Sequence, residues 1–421
     1  MRKKLIVKGP LLSRSGYGEQ SRFALDAIRS RSDLFDIYIV NIPWGQTGEI
    51  TDTNETAEFI KQEILRTAEY IQSGGQFDVS LQITVPNEFE RMAPINVGYT
   101  AGIETTKVAP EWIQKINENM NKVITISNHS KKVFENSKYD VQDQSGNQIK
   151  GWGLTVPVEY VNYPIRYHEP NEEVAINFET EKNFLLVSQW GPRKNVDNSL
   201  TWFLENFKDN EEVGLVLKTN LASDSNIDRH MTCSKLESIL AQHPDRKCKV
   251  YLVHGTLNPN QLAWLYSHPT MMGMINIGHG EGFGLPLYEA ACHGLPLITV
   301  TWSGQMDFIC KPNKKGKDVP HVIKVDYELR EVQKEAVWPG VIQADSKWSY
   351  ATGTSYKRAL SECLTKQKHH RTRAENLRKH IMKSFSHEQQ NEKFVSALKV
   401  WDDEELNVEE WLSGFDVEEH E

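Results

Sequence analysis

Short apolar runs alternate with helical stretches twice along this chain, and a polar stretch rich in Gly and Pro separates the two series. In the first series residues 5–7, 36–41, 79–85, 95–99 and 122–127 read as strands, and 19–29, 56–72, 110–119 and 129–136 as the helices between them. The pattern lapses over 137–180 and then restarts. Strands are expected at 184–188, 213–218, 250–253, 272–277 and 296–300, with helices at 198–207, 235–242, 261–267 and 287–293. Such alternation dictates parallel sheets covered by helices on both faces. The expected fold class is therefore α/β, with two doubly wound, Rossmann-like domains facing a central cleft. Domain boundaries are expected at 1–165 and 178–386. Two further helices are expected at 350–366 and 371–383, and the segment 387–421, a crossover helix and acidic tail, is a candidate completion of the first domain.

Composition excludes several classes. With 39% apolar and 25% charged residues, 421 residues can bury sizeable cores. The least polar run, 283–300, is interrupted by Glu289 and His293, so no membrane span is expected. The basic start is followed by too few apolar residues for a signal peptide, which points to a cytoplasmic protein. Five cysteines (233, 248, 292, 310 and 363) without Cys-x-x-Cys spacing suit reduced, buried thiols rather than disulfides or zinc. The net charge of −9 comes from the end of the chain, because the ten acids from Asp402 onward leave the first 401 residues at +1. An anionic partner is thus compatible with the body of the protein.

The most informative stretch is Gly278-His279-Gly280-Glu281-Gly282-Phe283-Gly284-Leu285-Pro286-Leu287-Tyr288-Glu289-Ala290. It follows an expected strand and opens a helix. Its glycines let the backbone approach a ligand closely, and the free N–H groups of a helix start suit a phosphate. Pro286 is tolerated in a first turn. Glu281 and Glu289 flank these amides and suit sugar and ribose hydroxyls better than phosphate. A glycine-rich turn with solvated acids is the competing reading.

This stretch resembles the Glu-x7-Glu signature of retaining, nucleotide-sugar-dependent glycosyltransferases of the GT-B fold, the glycosyl transferases group 1 family. Ser188-Gln-Trp-Gly-Pro-Arg193-Lys194-Asn195 is similar to that family's donor-phosphate loop, and Val216-Leu217-Lys218 to the strand end that follows it. Leu252-Val253-His254-Gly255, with the helix from Gln261, is similar to the nucleotide-base loop, and Ser15-Gly16-Tyr17-Gly18 to the N-terminal glycine loop. The latter is not a dinucleotide fingerprint, since Ser21 occupies the third glycine position. The resemblance spans residues 5–390.

What the resemblance implies can be assigned residue by residue. Arg193 and Lys194 would neutralise charge growing on the departing diphosphate, the first as a planar fork, the second as a point charge. Glu281 would bind the donor sugar and Glu289 the ribose. Gly16, Gly18, Lys218, His254, Gly282, Phe283, Gly284 and Leu285 would complete the donor site. Relatives often carry a His near Thr100-Ala101-Gly102-Ile103-Glu104, which this chain lacks. Glu104 is the nearest titratable group and a candidate acceptor contact or base. His129 is a second candidate, with a helix-cap role as its alternative. Trp44, Trp112, Trp152 and Trp302, in or beside expected loops, are candidate stacking platforms with core packing as their alternative.

No Asp-x-Asp pair occurs, so metal-independent transfer is expected. The expected donor is a nucleotide-diphosphate sugar, guessed as a UDP-sugar, and the acceptor a hydroxyl of a glycan or glycolipid head group. A DNA base glycosyltransferase acting on hydroxymethylated bases is the alternative. It draws on Lys366, Lys368, Arg371, Arg373, Arg378, Lys379 and Lys383, opposed only by Glu375 within that stretch. A solvated helix face explains the same residues. A third alternative is a GT-B sugar-nucleotide epimerase or a non-catalytic binding protein.

Overall fold

The computed structural model describes residues 2–45, 48–50, 54–142 and 146–400. The expected acidic tail lies outside the described residues. The first lobe supplies strands β1 (Lys3–Gly9), β2 (Phe35–Asn41), β3 (Val79–Gln82), β4 (Ile95–Thr100) and β5 (Lys122–Thr125). It adds a surface hairpin, β6 (Tyr139–Gln142) with β7 (Gln148–Trp152), and then β8 (Val158–Tyr160). Its helices are α1 (Gly16–Arg29), α2 (Glu55–Gln72), α3 (Pro110–Asn119) and α4 (Asn128–Asn136). The sheet runs β2-β1-β3-β4-β5-β8, all parallel. Both faces of its central strands are buried, and the polar residues within them, Ser80, Gln82 and Asn96, are hydrogen-bonded.

The second lobe repeats this plan. Strands β9 (Lys182–Val187), β10 (Val213–Lys218), β11 (Lys249–Val253), β12 (Met271–Asn276) and β13 (Leu297–Val300) are followed by the hairpin β14 (Cys310–Pro312) and β15 (Asp318–Pro320), then β16 (Ile323–Val325). The parallel sheet runs β11-β10-β9-β12-β13-β16. Its helices are α5 (Val196–Phe207), α6 (Asn226–Leu240), α7 (Pro259–Ser267), α8 (Leu285–Cys292) and the short α9 (Met306–Ile309). A second hairpin, β17 (Tyr327–Glu331) with β18 (Lys347–Ala351), precedes α10 (Gly353–Thr365), α11 (Gln367–Ser384) and α12 (His387–Leu398).

The strand order reverses between β1 and β3 in one sheet and between β9 and β12 in the other. Ligand crevices form at such reversals, beyond the strands' carboxyl ends. The exits of β9 and β12 carry residues 188–195 and 277–284, so the sheet order alone makes the two candidate loops neighbours. The chain crosses between lobes twice, over 161–181 and again at 385–387. After the second crossing α12 packs on the first lobe, with Phe394 against Phe23 (5.5 Å) and Tyr99 (5.0 Å). One apolar core runs through the seam, where Tyr163 of the first crossing meets Phe283 at 5.2 Å.

Several sequence expectations are corrected. Gly16 and Gly18 lie in the first turn of α1 rather than in a loop, because Ser15 caps that helix by accepting from the Gly18 amide. Residues 350–351 are strand rather than the start of the expected helix, since 347–351 pair with 327–331. The polar stretch 137–180 contains the sixth strand of the first sheet. Trp112 lies on α3 in the core, and Trp152 packs against the same cluster. The arginines of α11 serve the scaffold: Arg371, Arg373 and Arg378 donate to the carbonyls of Met271, Pro320 and Cys292. Lys366 and Lys379 pair with Glu362 and Glu375. The basic stripe is therefore partly consumed inside the protein. All five cysteines are free, and four are buried. No helix among the described residues is long and apolar enough to cross a membrane.

Candidate active site

The turn between β12 and α8 lies in the seam between the lobes. At Gly280 a Cβ would stand 2.1 Å from the Glu104 carbonyl oxygen, and at Gly282 one would stand 3.2 Å from an Ile126 methyl. At Gly280 only glycine permits the approach, whereas at Gly282 the Ile126 side chain would have to give slightly. Gly284 caps α8 with φ +95, in the left-handed region. The turn is fixed from below, with the Glu281 amide donating to Ser303 Oγ (3.0 Å) and the Gly304 amide to the Glu281 carbonyl (2.9 Å). The amides of Gly282, Phe283, Gly284 and Leu285 have no hydrogen-bond partner among the described residues. Unpaired amides at and just before a helix start suit an anion. The Phe283 side chain faces the core, so only its backbone belongs to this group.

Arg193 and Lys194 arrive from β9 on a single turn, Pro192–Lys194, closed by the left-handed Asn195. Lys194 Nζ donates to both Glu281 oxygens at 2.6 and 2.8 Å. Arg193 Nη1 donates to the Gly280 carbonyl (2.7 Å) and to Glu281 (3.3 Å), while Nη2 lies 3.5 Å from Glu104. The structure thus gathers Arg193, Lys194, Glu281 and Glu104 into one buried, charge-balanced knot across the seam. Burial would push the Glu281 carboxyl up, but Lys194 and Arg193 outweigh it and hold it at about 2. Burial and neighbouring Arg193 lower the Lys194 ammonium from its ordinary value. Arg193 shifts up, since Glu104 and Glu281 overcome its desolvation.

A cleft of about 1200 Å³, walled by both lobes, opens beside α8, where Pro286 and Glu289 line it; Arg193, Lys194, Glu281, Glu104 and residues 282–285 are not among its lining residues. Gly16, Lys218 and Glu289 line it, whereas Gly18 is pressed against the Ser13 carbonyl. The Lys218 ammonium makes no hydrogen bond or ion pair among the described residues, and burial lowers its pKa. His254 does not line the cleft. Its Nε2 is 2.8 Å from Asp228, and Gly255, Thr256 and Leu257 line the wall in its place. Asp228 accepts from the amides of Leu221, Ala222 and Ser223 as well, which fixes this corner. Trp44 lines the cleft, tilted on Tyr17 at 4.2 Å. His129 sits behind the knot beside Trp302 (5.1 Å), where burial depresses its pKa to about 4.

Sequence reasoning passed over Arg166, from the first crossing. Its Nε donates to Glu289 (2.7 Å) and its Nη1 to Glu19 on α1 (2.8 Å). Glu19 also accepts from Arg22 at 2.5 Å, and the Tyr266 hydroxyl donates to Glu289 at 3.2 Å. Burial opposes ionisation of Glu19, but Arg166 and Arg22 bring it down to about 2. The available signal was a lone cation within the otherwise uncharged, aromatic stretch 161–167. Among the described residues no group of His, Cys, Asp or Glu side chains is arranged to hold a metal.

Solved structures share this architecture. A sucrose-phosphate synthase from Thermosynechococcus elongatus superimposes with a TM-score of 0.57, at 13% identity, over 94% of this chain and 98% of its own. A UDP-forming α,α-trehalose-phosphate synthase from Burkholderia xenovorans gives 0.57, at 10% identity, over 95% and 99%. This chain has the GT-B fold. A glycosyltransferase from Rickettsia africae aligns similarly, with a TM-score of 0.56 at 11% identity over 94% and 98%. No protein-family model matches the sequence, and no curated protein does. At this identity the shared GT-B feature is the arrangement of two lobes about a cleft.

Proposed function

We propose that the chain is a retaining, metal-independent glycosyltransferase of the glycosyl transferases group 1 kind, moving a sugar from a nucleotide-diphosphate donor to a hydroxyl acceptor. The observation that carries this reading is the set of four unpaired amides at 282–285 beside the Arg193–Lys194–Glu281 knot. A donor diphosphate accepts from those amides, and Arg193 and Lys194 stabilise the charge that grows as its bond to the sugar breaks. Fixed donors of this kind need little reorganisation during the reaction. Glu281 accepts from donor-sugar hydroxyls, and the acceptor hydroxyl attacks from the side the diphosphate leaves, passing its proton to the departing phosphate. Glu281 is therefore no nucleophile. Glu104, across the seam, faces the acceptor. Glu289 takes the ribose hydroxyls, and Lys218 with Gly255 lines the nucleoside part of the cleft. Residues 1–165 with α12 form the acceptor lobe and 178–386 the donor lobe.

The names of the GT-B neighbours support a sugar donor with a carbohydrate acceptor, and one is UDP-forming, which favours a UDP-sugar. The test is nucleotide release from a panel of sugar nucleotides, with and without simple glycans and hydroxymethylated DNA. Acceptor-dependent release of nucleoside diphosphate is expected. Sugar turnover without release would show an epimerase instead, and release only with the modified DNA would move the acceptor assignment to DNA.

A further inference from the structure

The first crossing is fastened to the second lobe. The Ile165 amide donates to the Phe385 carbonyl (2.8 Å), Tyr167 stacks on His293 (4.8 Å, 22°), and His293 Nε2 lies 3.0 Å from the His168 carbonyl. Arg166 therefore belongs, in position, with Glu289. Its other partner, Glu19, belongs to the first lobe, where Arg22 holds it while donating to the carbonyls of Leu11 and Ser13. The boundary between lobes thus runs between Arg166 and Glu19, and among the described residues Arg166 is the side chain that bonds a carboxylate on each side of it at this wall of the cleft.

We propose that Arg166 is a positioning residue that couples the aim of Glu289 at the donor's ribose to closure of the two lobes, through its shared contact with Glu19. This rests on the reading of Glu289 given above. In the closed arrangement the guanidinium is divided, with Nε on Glu289 and Nη1 on Glu19. With Nη1 held by Glu19 the guanidinium plane is fixed; its Nε pins one Glu289 oxygen while the Tyr266 hydroxyl pins the other, so the carboxylate keeps one orientation with its remaining lone pairs turned to the ribose hydroxyls. Separated from Glu19, the guanidinium turns freely about its side chain and that orientation is lost. By linkage, the ribose in turn favours closure.

The test uses calorimetric binding of UDP, ADP and GDP to the full chain. The tightest binder is then compared with its 2′,3′-dideoxyribose form. Glu19→Gln, nearly isosteric, and Arg166→Lys, which cannot fork between two carboxylates, are each expected to weaken the ribose ligand about tenfold. The dideoxy ligand should bind as it does to the wild type. Equal weakening of both ligands in Glu19→Gln, or no weakening, overturns the inference. Glu289→Gln separates it from its parent: if that variant treats both ligands alike, the ribose assignment itself fails. If Glu289→Gln discriminates them and Glu19→Gln does not, the coupling alone fails.

Discussion

Glu281 and Glu289 stand eight residues apart, one in the turn before α8 and the other one turn inside that helix, each within 2.7 Å of a cationic nitrogen. Their surroundings differ in kind. Glu281 is sealed into the seam, and both of its cations come from the single turn after β9. Glu289 faces an open cleft, and its cation is shared with a carboxylate of the other lobe. The first arrangement is fixed largely by one sheet's order, and the second depends on how the lobes sit. Preorganised charge belongs where bonds break, and adjustable charge where a ligand enters and leaves.

The largest effect that tests this contrast is removal of the knot's cations. Arg193→Ala with Lys194→Ala is expected to lower kcat by at least about 10²–10³, the loss associated with one such donor. It also leaves Glu281 as a buried, unpaired carboxylate, so the melting temperature should fall too. Wild-type turnover in this variant would break the contrast. Next comes Gly280→Ala, whose methyl collides with the Glu104 carbonyl. The lobes must part to admit it. A larger radius of gyration by X-ray scattering and a drop in kcat of roughly tenfold or more are expected.

A smaller effect sharpens the cleft side. Lys218 is a half-buried ammonium without a partner, and such a charge costs stability. Lys218→Met should raise the melting temperature by a few degrees while weakening nucleotide binding, a pairing expected of a ligand site. A lower melting temperature would instead make the lysine structural.

The smallest effect is in the pH dependence. Glu281 titrates at about 2 in the folded protein against 4.5 when free. Its depressed pKa stabilises the fold above pH 4.5, and that contribution is lost as pH falls from 4.5 toward 2. Glu19 contributes in the same window. In Glu281→Gln, denaturant midpoints measured across that window should decline less steeply than in the wild type.

Much of this was legible in residue order because it is carried by local pattern. The alternation gave both sheets, and the 278–290 stretch marked the turn that the structure places at the seam. What stayed hidden depends on partners distant in sequence. Residues 158–160 are too short and mixed to announce a strand, and they become one by pairing with β5. Arg166 looked like linker because its carboxylates are 147 and 123 positions away. His254 was read as cleft-facing because nothing nearby in sequence reveals Asp228, 26 positions earlier, taking its imidazole. The α11 arginines looked free for phosphate because backbone carbonyls that accept from them cannot be seen in a residue string.

The two crossings of the chain, at 161–181 and 385–387, have a mechanical meaning. A body joined to another by one flexible thread can tumble in any direction, whereas two separate attachments restrict it to swinging about the line that joins them. The Ile165 amide and Phe385 carbonyl bond the two attachments to each other at 2.8 Å, so both crossings meet at one pivot. In the reading proposed above, a ligand that bridges the lobes acts across this pivot on the Glu104–Arg193 contact, 3.5 Å long in this arrangement.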